Sequence, residues 1–226
     1  MAFPQQLKYT LAAQSVSVDR EPQQALSAEF PILIMELKEW AKTDNDGVAI
    51  SYFFRQYALF ISAQFDLMAH QNAYFACSWK ELKFDRSFNY GLHLLKTHAS
   101  SLSYTQIQPN QRFEAMHYVL VEQVDSLIQE FRQHAKISPI ILWENILGSI
   151  IWLYTGIERS NPRKAAEDME WLLEPSNWQP IKTSYLNKLL SDVPLERAVS
   201  GPLRKTCCLY KELPEFGACT YCPQPN

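Results

Sequence analysis

The sequence predicts a mainly α protein with a small β-hairpin or ribbon and an irregular, cysteine-rich C-terminal segment. Three observations carry that expectation. Apolar residues recur at steps of three and four over several long stretches, the period of helices with one buried face. Ser-Pro and Asn-Pro pairs stand where such stretches begin, and proline is pre-shaped for the first helical position. Four of the five cysteines fall in the last twenty residues, where proline and glycine replace the helical period.

Phe30, Leu33, Ile34, Leu37 and Trp40 place a helical stripe within Leu26–Trp40. The polar break Thr43–Gly47 caps the next helix, Val48–Met68, which is apolar on nearly all sides and therefore central. Between Asn72 and Phe88, aromatic residues and a near alternation at Leu82, Phe84, Arg86 and Phe88 predict the hairpin or ribbon. Thr97–Asn110, rich in Ser, Thr, Gln and Asn, reads as a surface loop. Asn110 is expected to cap a helix from Arg112 to Arg132, striped by Phe113, Met116, Leu120, Val124, Leu127 and Phe131. Ser138-Pro139 opens a helix to about Ile157, and Asn161-Pro162 opens another that ends near Leu173. Glu174–Pro180 is a linker, and Leu186–Leu190 a short helix. Regular structure should be scarce from Val193 onward, so residues 1–192 form a helical body and 193–226 a C-terminal segment.

Composition narrows the function. At 226 residues and 47% hydrophobic, the chain closes a core without disulfide support. A net charge of −3 excludes a dedicated polybasic nucleic-acid binder. Six glycines, with neither G-x-G-x-x-G nor G-x-x-x-x-G-K, argue against a phosphate-cradling nucleotide fold. Ile137–Ile157 is apolar, but Glu144 and Asn145 sit near its middle. A charge there costs roughly 2.5–3.5 kcal/mol on membrane insertion, so a core helix is expected and not a stable span. The N-terminal residues lack the pattern of a secretory signal, which makes the cytoplasm the expected compartment.

Cys77, among apolar neighbours, reads as a buried structural thiol. Cys207, Cys208, Cys219 and Cys222 form C-C-x10-C-x2-C. Disulfides, a structural zinc ion and an iron–sulfur cluster could each explain four thiols so close together. Adjacent side chains on an extended chain point in opposite directions, which suits two corners of one zinc tetrahedron poorly. Two irons offer separate corners. Arg204, Lys205 and Lys211 lie beside the cysteines, as a solvated loop or as compensation for thiolate charge. His70, His93, His98, His117 and His134 are scattered without a partner at metal-ligand spacing.

The C-C-x10-C-x2-C ending, preceded by Arg204-Lys205-Thr206, closely resembles the FhuF-type ferric siderophore reductases. Trp143, Asn145 and Trp152 match that family's W-x-N-x6-W helix, and Arg112–Arg132 is similar to the amphipathic helix before it. The resemblance covers about residues 110 to 222, with a reduced N-terminal region. It implies a 2Fe–2S cluster on Cys207, Cys208, Cys219 and Cys222. It also implies one-electron reduction of a ferric siderophore, of the hydroxamate class, in the cytoplasm. The electron donor would be of the ferredoxin, flavodoxin or flavin reductase type, and no catalytic residue beyond the cluster is required. Asn145 is then either a hydrogen-bonded core amide or a partner of the cluster or substrate, and Trp143 and Trp152 either core packing or siderophore-facing rings. Arg204, Lys205 and Lys211 lean toward an anionic chelate. An iron–sulfur electron carrier or sensor, and a binding module with a structural zinc tail, are the alternatives.

Overall fold

The structure, a computed structural model, describes residues 3–89, 92–108, 110–191, 193–200, 203–214, 216–217 and 222–223. The chain opens with helix α1 (Leu7–Ala13) and strand β1 (Val16–Val18), followed by α2 (Phe30–Ala41) and α3 (Asp46–Gln71). Asn45 caps α3, its side chain accepting from the backbone N–H groups of Gly47 and Val48. Nearly every turn of α3 is buried, as an all-round apolar helix requires. Next come β2 (Ala73–Phe75), β3 (Lys83–Asn89), β4 (Leu92–Ala99) and β5 (Tyr104–Gln106). The second half is helical: α4 (Arg112–Tyr118), a π-helical stretch (Val119–Asp125), α5 (Ser126–His134), α6 (Pro139–Ser160), α7 (Pro162–Leu173), α8 (Tyr185–Leu190) and α9 (Leu195–Ala198). The chain is mainly α, as the periodicity predicts.

α3 packs along α6 more extensively than any other pair of helices, and α2 flanks it. Phe53 and Phe54 pack on Phe131, and Phe84 packs edge-on against Phe53 and Tyr57. α6 is the one described helix long and apolar enough to cross a membrane, and 61% of its most apolar window is buried within the fold.

The expected β-ribbon is present but lies further along: the alternating stretch forms β3, and its hairpin partner is β4, beyond Phe88. β3 pairs antiparallel with β4, β1 adds parallel to β4, and β2 pairs with β5. The expected loop Thr97–Asn110 therefore holds the end of β4, a single 3₁₀ turn and β5. Thr97 and His98 are buried there while Ser100 and Thr105 are exposed, so polar composition does not separate strand from loop. β1 sits in an N-terminal stretch whose periodicity signals no element. Asp85 accepts from the backbone N–H groups of Gln23 and Gln24, and His98 Nδ1 bonds Arg20 O. With His98 Nε2 3.5 Å from Asp85, the two side chains clasp the crossing between β1 and α2.

The expected helix Arg112–Arg132 is interrupted by its π-helical stretch, and Asn110 does not cap it; the residue at that position is Gln111, without a side-chain cap bond. The π geometry turns Gln123 into the core. Its amide donates to Phe75 O and Cys77 O, both at 2.8 Å, and accepts from Gln64 Nε2 at 2.7 Å. Tyr57 OH donates to the Gln123 carbonyl, one of the backbone acceptors the altered turn releases. Beyond Val193, where little regular structure is expected, α9 and a 3₁₀ turn at Tyr210–Glu212 appear.

Two outcomes follow from this core. Gln123→Leu strands the Cys77 carbonyl and one N–H of the Gln64 amide, whose other bonds to Phe75 remain, so urea unfolding should show a loss of roughly 2–4 kcal/mol, one to two buried groups without partners. Burial also pushes the Cys77 thiol up to about 11. Alkylation of the native protein at pH 8 should leave Cys77 unmodified, and denaturation should expose it, as peptide mass mapping reads.

Candidate functional site

The site begins with two adjacent polar residues in the middle of α6. Glu144 is 3% exposed and Asn145 4%. A buried carboxylate must be met by donors, and these come from the C-terminal segment. Glu144 accepts from Lys205 N at 3.2 Å, Thr206 N at 3.0 Å and Thr206 Oγ1 at 2.6 Å. Arg204 Nε lies 3.7 Å away. Asn145 Oδ1 accepts from Arg204 Nη1 at 2.7 Å, while its Nδ2 donates to Ser51 O and Ser51 Oγ on α3. Arg204 Nη2 reaches the Ile141 carbonyl.

This clamp lays the cysteines against α3. Ser51 Oγ donates to the Cys208 carbonyl at 2.8 Å. Arg55 Nη1 stands 3.6 Å from Cys208 Sγ and donates to it, and Leu209 N donates to Cys207 Sγ at 3.3 Å. The vicinal thiols thus diverge, one toward α3 and one into its own loop. Cys222 lies beside Cys207. Burial raises the Cys207 thiol most, opposed by the Leu209 N–H, with Cys222 and Cys208 adding to the rise. Tyr210 and Phe216 pack on Tyr52, and Arg55 lies over the Tyr210 ring, 4.4 Å from its centroid. Burial lifts the Tyr210 hydroxyl to about 12, with Arg55 pulling the other way.

A cavity of about 260 Å³ opens beside Arg55. α6 lines it with Asn145, Gly148 and Trp152, and Leu189, Val199 and Leu203 wall the other side.

The structure therefore brings together Asn145, Trp152, Arg204, Cys207, Cys208 and Cys222 of the residues singled out in the sequence. Trp152 is 56% exposed at the cavity. Trp143 is 0% exposed on the far side of α6, stacked on Tyr185 and edge-on to Trp178. Lys205 Nζ is held by Ser191 Oγ, and Lys211 is half-buried in the Tyr210–Glu212 turn. Cys219 lies outside the described residues, as does the side chain of His93. Of the other histidines, His117 bonds the Gln179 carbonyl, and His70 and His134 pair with carboxylates on their own helices. Among the described residues, no three His, Cys, Asp or Glu side chains stand close enough to hold one metal ion.

Sequence reasoning missed Ser51 and Arg55, and weighed Glu144 only against a bilayer. Two signals were present: Arg55 is the one cation within Val48–Met68, and a Glu-Asn pair inside an apolar helix demands partners.

Residues 83–195, half of the chain, match the family model described as "Ferric iron reductase FhuF-like transporter". The chain belongs to the FhuF-like ferric iron reductase family. A search of curated proteins gives no match to it. The FhuF-like match starts at β3, earlier than the cysteine-based resemblance, and contains Glu144, Asn145, Gly148 and Trp152. It ends within α9, before Arg204 and the cysteines, while Ser51 and Arg55 precede it. The family segment thus supplies the α6 side of the site, and α3 and the C-terminal segment complete it.

Glu144→Ala removes the acceptor for three donors at once. Trypsin should then cut at Lys205 and Lys211 at least tenfold faster, the order expected from about 1.4 kcal/mol of local opening. The helical circular dichroism of the body should be retained.

Proposed function

We propose that this FhuF-like chain is a cytoplasmic reductase of ferric siderophores of the hydroxamate class, with a 2Fe–2S cluster on Cys207, Cys208, Cys219 and Cys222. The observation that carries the reading is a divergent pair of buried thiols, each already facing an N–H donor, in a chain of a ferric iron reductase family. A cluster of that type supplies one-electron transfer when bound.

The donor set fits such a group. Thiolates select iron–sulfur or zinc over hard cations. Cys207 and Cys208 meet different partners, Cys207 the Leu209 N–H and Cys208 the Arg55 guanidinium, which supports a two-metal centre over a single zinc ion. The Arg55 guanidinium and the Leu209 N–H offset thiolate charge, the kind of outer contact that tunes a metal centre. Ser51 and the Glu144–Thr206 clamp fix the backbone from which the thiols project.

The substrate chemistry agrees. Iron(III) is hard and tightly held by hydroxamate oxygens, and iron(II) is held far less well. One electron, from a donor of the ferredoxin, flavodoxin or flavin reductase type, passes to the chelated iron(III). The products are iron(II) and the iron-free chelator. The chain needs no general base, and its contribution is to bind, orient and poise.

Protein reconstituted anaerobically with iron and sulfide should be reddish and give a spin-half signal after dithionite. It should release iron(II) from a ferric trihydroxamate to a chromogenic iron(II) chelator. Cys208→Ala and Cys219→Ser should lose the colour, and Cys77→Ser should keep it. A colourless protein holding one zinc ion overturns the reading. A coloured protein inert toward ferric chelates makes it an electron carrier instead.

A further inference from the structure

Asn145, Gly148 and Trp152 follow one another at steps of three and four, so they share one stripe of α6. Gly148 is the unusual member. Mid-helix glycine costs about 1 kcal/mol relative to alanine. A Cβ built on Gly148 meets nothing within 4 Å, so packing does not demand the glycine. The missing side chain is cavity space.

The walls of that cavity are apolar at Leu59, Trp152, Leu189 and Leu203, and its charges are unequal. Glu144 and Arg204 face each other across 3.7 Å and are engaged in the C-terminal clamp. Arg55 is different: among the described residues no carboxylate pairs with it, and its contacts are the Cys208 sulfur and the Tyr210 ring. The cavity therefore offers an apolar wall and one cation that no described carboxylate pairs with, its acidic neighbour being the Cys208 thiol. Its 260 Å³ falls below the roughly 300–1,000 Å³ that takes a whole drug-sized ligand.

Resting on the reading above, we propose that this cavity seats a single arm of the ferric chelate: a short apolar chain over Gly148 and against Trp152, ending in a carboxylate on Arg55. The bulk of the chelate stays outside, past the exposed Trp152 ring. The seated arm ends one guanidinium away from Cys208 Sγ. The chain thereby distinguishes acidic hydroxamate chelates from neutral ones by a charge-assisted bond in a half-enclosed site.

Gallium(III) chelates test this without electron transfer, because gallium is not reduced. The full chain, with the cofactor it carries, is titrated calorimetrically with a gallium tris-hydroxamate bearing one pendant carboxylate, and with its primary amide. The wild type should bind the acid about tenfold or more tightly than the amide, as a charge-assisted hydrogen bond of about 1.5–3 kcal/mol implies. Arg55→Gln should bind both at the amide level. Gly148→Leu fills the cavity while favouring the helix, and should weaken both chelates at least tenfold with the thermal melt unchanged or raised. Trp152→Ala, a surface change, should also weaken both. Equal binding of acid and amide by the wild type, or no binding of either, overturns the proposal, and so does unaltered binding by both Gly148→Leu and Trp152→Ala. The reductase reading fails separately: a chain without iron and sulfide that still shows this gallium preference keeps the subsite and loses the redox role.

Discussion

The carboxylate of Glu144 cannot remain in the middle of an apolar helix unless something brings it donors. The donors come from residues more than fifty positions later, and bringing them fixes where the C-terminal segment runs. Because Thr206 and Lys205 must reach α6, Arg204 falls on Asn145 and Cys208 falls on Ser51 and Arg55 of α3. The dependence is mutual. Removing either side leaves buried polar groups of the other unmet, a cost larger than the gain from forming the pair. A carboxylate that looks like a flaw in a hydrophobic helix is what sets the geometry of the thiols.

The fold uses the same device elsewhere. Gln64 and Gln123 share the backbone polar groups of β2 and the residues after it, which ties a two-stranded ribbon to the helical core. Arg112 and Tyr154 meet Asp168 where α4, α6 and α7 converge, with Arg112 Nε at 2.8 Å from the carboxylate and Tyr154 OH at 2.9 Å. Burial raises the Asp168 carboxyl, and Arg112 opposes that rise. Apolar packing brings these helices together without choosing their register. Side chains that must find one partner do choose it, because a shift by one residue strands them.

The helices were legible because their signals are local. The Asn45 cap, the Ser138-Pro139 start and the Asn161-Pro162 start each fall where the sequence places them. β3 was legible too, from the alternation at Leu82, Phe84, Arg86 and Phe88, but the strand pairing was not, because β2 finds its partner thirty residues on and β1 finds its partner eighty on. The π-helical stretch was hidden for another reason: its extra residue hardly disturbs an apolar stripe, and only the buried Gln123 betrays it. At the site, Asn145, Trp152 and Arg204 line one cavity. Trp143 does not join them, since nine residues along a helix is a half-turn offset. Arg55 and Ser51 escaped notice because they lie about 150 residues from the sulfur and carbonyl they touch.

The way the thiols are held bears on assembly. Small metal domains without a core of their own are unfolded until the metal arrives, so that binding and folding are one event. Here α3 and α6 already present Cys207 and Cys208 from a body that folds on its own apolar surface. Most of the ordering entropy is spent before any cofactor is captured. A cofactor of the kind proposed would meet Cys207 and Cys208 on a backbone that Ser51 and Glu144 already fix.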